Sequence, residues 1–126
     1  MGSRKTRRSH PEKKHGSCPI ARTAELVGDM WTLLIVRDLM GGPRRFSELM
    51  ASLAGISPKT LSRRLKYLEA QGLVHRQVYP EIPPRVEYTL TPKGEALLPL
   101  IESMRQYGEK WLRDTVEETN EQHTSL

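Results

Sequence analysis

A mainly α-helical domain carrying one small β-hairpin is the fold class this sequence predicts. Three observations lead there. Helical segments outnumber extended ones, and the first four of them close on glycine. Two short alternating segments stand together, separated by a proline-rich loop. The 126 residues suit one domain with a real but modest core.

The elements follow in order. Cys18-Pro19 opens the first helix, because proline at the first helical position lacks only an N–H that has no partner there. Ile20, Ala24 and Val27 share one stripe, and Gly28 stops the helix. Asp29 caps the second helix, which buries Trp31, Leu34, Ile35 and Leu39 and stops at Gly41-Gly42. RRFSELMASLAG forms a short third helix with Phe46, Leu49 and Leu53 inward, ending near Gly55. Ser57 caps the fourth, Pro58 takes its first turn, and Gly72 ends it. LVHRQVY and RVEYTLT then alternate β-branched, aromatic and polar residues, as strands do. PEIPP between them carries three prolines, which forbid a regular ladder and make a stiff projecting loop.

Thr91-Pro92 repeats the cap-and-proline signal. The last helix places Leu97, Leu100, Ile101, Met104, Tyr107, Trp111 and Leu112 at spacings of three and four. Pro99 inside it must bend the helix or mark a restart. Two close helices joined by a short glycine-containing turn and followed by a hairpin make a winged helix-turn-helix. The domain covers 18–118, between a flexible basic arm over 1–17 and a polar tail over 119–126.

Charge is unevenly spread. The net +5 resides in residues 1–17, where six basic residues face one acidic, while 18–126 is neutral. Within that neutral body, residues 59–85 carry +4 and residues 95–126 carry −4. A polarised domain with a basic arm suits a polyanion such as double-stranded DNA; a merely solvated arm is the alternative for 1–17.

The fourth helix sharpens that reading. At roughly 100° per residue, Leu61, Leu65 and Leu68 form the inward stripe. Lys59, Arg63 and Lys66 fall on the opposite face, flanked by Thr60 and Ser62, with Arg64 nearer the core edge. Long basic donors suit guanine edges and phosphates, and small hydroxyls, Ser57 included, permit close approach. Arg85 follows Pro83-Pro84 and suits a minor groove or a flanking phosphate, unless it pairs with Glu81 or Glu87. Arg44 and Arg45, just before the third helix, serve either as phosphate clamps or as a solvated loop.

Taken together, CP at 18–19, WTLLI at 31–35, RFSEL at 45–49, ISPKTLSRRLKYLEAQGLV at 56–74 and YPEIPPRVEYTLTPKG at 79–94 resemble the HxlR-type winged-helix transcription regulators, relatives of the MarR group. The resemblance runs from Cys18 to Trp111. One departure is Met30, where such proteins often carry lysine. The resemblance implies a bacterial homodimer with first and last helices exchanged across the interface, bound to a pseudo-palindromic operator. That implied interface takes in Ile20 of the first helix, and the last helix points the same way: Leu100, Met104, Tyr107 and Trp111 exceed what a helix packed on so small a domain needs, unless they pack within their own subunit.

Cys18 has two readings. At a helix N-terminus the dipole and free N–H groups favour a thiolate, and in similar regulators a cysteine here can sense oxidants or electrophiles. Alternatively it is a small buried hydrophobe. A single cysteine excludes an intramolecular disulfide and agrees with a reducing, cytoplasmic setting. No apolar run long enough to span a membrane and no apolar leader occur. His10, His15, His75 and His123 make no metal set; His15 and Cys18 have only half a zinc-like spacing. No catalytic constellation or phosphate-binding glycine loop appears, so neither an enzyme nor a cofactor is expected. The expected partners are DNA, a second copy and a small-molecule or redox effector. The rival class is a winged-helix protein-interaction module without specific DNA binding. It needs no basic outer face, and heparin retention discriminates the two.

Overall fold

Capping chemistry sets the helix boundaries. The structure, a computed structural model, describes residues 16–112. The arm, apart from Gly16 and Ser17, lies outside the described residues, as do the tail, His10, His15 and His123. Helix α1 spans Pro19–Val27, and Cys18 Sγ accepts from the Ala21 N–H at its start. Helix α2 spans Met30–Leu39, with Asp29 Oδ1 accepting from Thr32 N–H at 3.0 Å. Helix α3 spans Phe46–Ser52; Glu48 reaches back to the Arg45 N–H at 2.8 Å. Helix α4 spans Pro58–Ala70 behind Ser57, whose hydroxyl accepts from Thr60 N–H at 3.0 Å. Gly28 and Gly72, at φ 69° and 76°, turn the chain after α1 and α4 with a positive φ that a side chain disfavours.

The core is one cluster beneath α4. Ile35, Val36 and Leu39 of α2, Leu49 and Leu53 around α3, and Ile56 meet Leu61, Leu65 and Leu68 of α4. Leu73, Val74 and Leu97 close the far side. Trp31 and Leu34, expected inside, are only half-buried; they border the core and leave its centre to Val36 and the fully buried Thr32.

Strands β1 (Val74–Tyr79) and β2 (Arg85–Leu90) pair antiparallel, from Val74 opposite Leu90 to Tyr79 opposite Arg85. The sequence pattern missed a third pairing. Arg44 bridges Tyr88 through two backbone hydrogen bonds of 3.1 and 2.8 Å, so the segment before α3 extends the sheet.

The single last helix of the sequence reading is instead three pieces. Helix α5 is short, Pro92–Glu95, capped by Thr91. Helix α6 runs Leu98–Tyr107, with Pro99 in its first turn, so the proline marks a restart and no bend is needed. A wider π-helical turn, Gly108–Leu112, follows. Ile20, Leu100, Met104, Tyr107 and Trp111 are exposed, together with Met30 and Leu112, which the sequence reading did not assign to an interface. No helix among the described residues is long and apolar enough to cross a membrane.

Candidate nucleic-acid interface

The outer face of α4 is built by subtraction. Three leucines spend the inward stripe, each 0–2 % exposed, and leave Lys59, Arg63 and Lys66 in solvent. None of the three has an ion-pair partner among the described residues. Their positive charge therefore faces water unopposed. Thr60 and Ser62 are half-buried at the edges of this face. Ser57 is engaged in capping: its hydroxyl accepts from Thr60 N–H and donates to Thr60 Oγ1 at 3.0 Å. It shapes the helix start more than it offers a free donor. Arg64 turns inward, as its angular position implies, to Asp29 Oδ2 at 3.4 Å.

The wing corrects one expectation. Arg85 does not project from the loop tip. It opens β2 opposite Tyr79, lies 3.9 Å over that ring, and bonds Glu81 at 2.7 Å and Glu87 at 2.6 Å. Two carboxylates close in sequence capture the guanidinium more readily than open solvent does, because a forked donor matches carboxylates bidentately. The Arg85 hydrogen bonds hold the Glu81 carboxyl below its ordinary value of 4.5, and the charge of Arg45 adds to this. A depressed carboxylate pKa means the Glu81–Arg85 pair is fully formed above that ordinary value. The Glu81 half of the latch is lost only as acid titrates through the lowered one. The fully exposed residue at the tip is Ile82.

Arg44 is tied down through its backbone, and its Nη1 donates to Pro43 O at 3.1 Å. Arg45 is exposed, and its influence on Glu81 places it near the wing loop. The structure thus leaves Lys59, Arg63, Lys66 and Arg45 as solvent-facing cations, while Arg85 braces the wing. Cys18 is exposed in the single chain, so the buried-packing reading would require another subunit over it. Among the described residues no group of three or more His, Cys, Asp or Glu side chains could hold a metal.

Comparison with known proteins adds a family. The profile of the HxlR-like helix-turn-helix family matches residues 26–116. The uncharacterized HTH-type transcriptional regulator sll1512 of Synechocystis is 45% identical over 95 residues, 75% of this chain and 70% of that protein. Among solved structures, a MarR-family transcriptional regulator of Porphyromonas gingivalis W83 has a TM-score of 0.72 at 40% identity. The match covers 75% of this chain and 93% of that one. The redox regulator HypR in its reduced form has a TM-score of 0.73 at 36% identity, over 79% and 98% of the two chains.

Proposed function

The chain belongs to the HxlR-like helix-turn-helix family and is a DNA-binding transcription regulator, and from that premise we propose that it binds a pseudo-palindromic operator as a homodimer. The observation that carries this reading is the unpaired basic face of α4. In the proposal α4 enters the major groove, Arg63 reads a base edge, and Lys59 and Lys66 contact bases or phosphates. Ser57, Thr60 and Ser62 allow close approach; Arg44 and Arg45 serve phosphates beside the wing; Arg85 acts chiefly by holding the wing rigid.

Arg63→Ala is expected to cost roughly 1–3 kcal/mol of operator binding and to relax preference at one position per half-site. Lys66→Ala is expected to weaken all sequences alike and to flatten the salt slope by about 1. Binding titrations on operator and random duplexes check both. An Arg63→Ala protein that binds the two duplexes as the parent does removes α4 from the interface.

The dimer reading is supported by the exposed stripe of α6 and by a groove of about 430 Å³ between α2 and α6. Met30, Leu33, Leu34, Ile101 and Met104 make that groove apolar. A helix-turn-helix dimer that reads two half-sites must match a spacing of roughly 34–36 Å, about one turn of DNA, or a multiple of it.

The likeness to HypR supports redox sensing at Cys18. In this reading two Cys18 thiols, one from each subunit, give two electrons and two protons to a quinone, which leaves as the hydroquinone. The resulting disulfide shifts α1 against the interface and misfits the half-site spacing. Operator affinity is expected to fall after mild oxidant in the parent and to persist in Cys18→Ser. Full affinity with Cys18 shown modified by mass spectrometry overturns this role.

A further inference from the structure

Helix α1 is held to the domain at one end. It buries no residue, and only Leu26 and Val27, in its last turn, pack on the core. Along the rest of its length a cleft of about 900 Å³ separates it from the end of α4, lined by Pro19, Arg22, Thr23, Tyr67, Gln71 and Lys93. What joins α1 to α4 is therefore the corner where α1 turns into α2.

Two α4 side chains make that joint. The Tyr67 hydroxyl donates to the Leu26 carbonyl oxygen at 2.7 Å, an acceptor in the last turn, where carbonyls run out of intrahelical donors. Arg64, 4.9 Å from the Tyr67 ring centroid, reaches past it. Its Nη1 lies 3.4 Å from both Asp29 Oδ2 and Thr32 Oγ1. Asp29 uses its other oxygen to cap α2. One carboxylate thus starts α2 and anchors α4. Thr32 is the one buried polar residue among those described, and Arg64 supplies its side-chain donor.

We propose that Arg64 and Tyr67 are positioning residues that make the placement of α1 part of the DNA-reading site. They neither touch DNA nor serve the core alone; they lock the tilt of α4 to the α1–α2 corner. Because α1 has no other firm attachment within its own subunit among the described residues, a displacement begun at its Cys18 end is delivered to α4 through this clamp. Linkage is reciprocal, so DNA seated on α4 must in turn steady α1. The inference rests on α4 being the DNA-facing helix.

Amide exchange of the full chain, with and without random-sequence duplex at low salt, tests it. In the parent, DNA is expected to slow the amides of 24–28 about fivefold, the lower end of ordinary coupling, alongside those of α4. In Tyr67→Phe, which keeps the ring, α4 stays protected and the α1 response disappears. Arg64→Met is expected to lose the response and Arg64→Lys, which keeps the charge opposite Asp29, to retain much of it. A packing role alone would raise α1 exchange equally with and without DNA and leave the ratio intact. Absence of an α1 response in the parent, or an equal response in Tyr67→Phe, overturns the clamp. Loss of α4 protection itself in the parent would instead indict the recognition-helix reading.

Discussion

Trp111→Glu is expected to shift the protein from dimer to monomer. Trp111 is 63 % exposed in the single chain, at the end of a stripe that includes Leu100, Met104 and Tyr107. So large an exposed aromatic, continuous with other apolar residues, is the usual core of a subunit contact. A two-fold axis places the substitution at both copies of the contact, so each dimer would bury two unpaired carboxylates. Each uncompensated buried charge costs roughly 3–5 kcal/mol, enough to raise the dissociation constant by two decades or more. Sedimentation at micromolar concentration measures the outcome, and circular dichroism establishes that the monomer is folded. A parent that already sediments as a monomer, or a variant that stays dimeric, sinks the proposed interface.

Gly94→Ala is expected to destabilise the fold by about 3 kcal/mol, at the upper end of ordinary overpacking. A Cβ there would sit inside the contact radius of the Leu73 carbonyl oxygen and 3.2 Å from Leu90 Cδ2. The carbonyl cannot turn aside, because it accepts the Thr91 N–H at 3.0 Å. Moving α5 away would instead break its cap, Gly94 N–H to Thr91 Oγ1 at 3.1 Å, and the Thr91 hydroxyl bond to Gly72 O at 2.5 Å. For a domain this size, 1 kcal/mol corresponds to roughly 4–8 °C in Tm. Gly108→Ala is the control: its backbone is helical and nothing lies within 4 Å of the added carbon. Thermal melts in which both variants match the parent would show that α5 does not pack so closely on Leu73 and Leu90.

The two sites differ in how legible they were. An apolar stripe along α6 and the turn after it can be read from spacing alone, since Leu100, Met104, Tyr107 and Trp111 recur at threes and fours whatever they touch. Gly94 gave no such signal. It looks like a helix-weakening glycine after a cap, and its necessity comes from the Leu73 carbonyl, just before β1, that lies against it. Met30 likewise reads in the sequence only as a departure from the lysine that similar regulators often carry, whereas in the structure it borders the groove between α2 and α6.

The residues proposed to face DNA show the same division. Lys59, Arg63 and Lys66 follow from helix geometry, because three inward leucines determine which side faces out. Arg85 does not, because its surroundings offer two answers, phosphate or carboxylate, and only the hairpin's register decides. That register brings Glu87 and Tyr79 to it while the loop returns Glu81. Arg44 was read by its charge, whereas its backbone pairing with Tyr88 is its main structural commitment.

By itself, then, the sequence determined where the first four helices lie, which stripe of α4 is buried, where the hairpin lies and what charge the outer face carries. Each of these depends on residues within a turn or two of one another, where caps, glycines and periodicity act. Only the tertiary structure decided that Arg85 is latched, that Pro99 restarts a helix, and that Tyr67 reaches Leu26 across 41 positions of chain. A hydrogen bond is lost within an ångström or so of displacement, and no local pattern encodes the relative placement of two helices that closely.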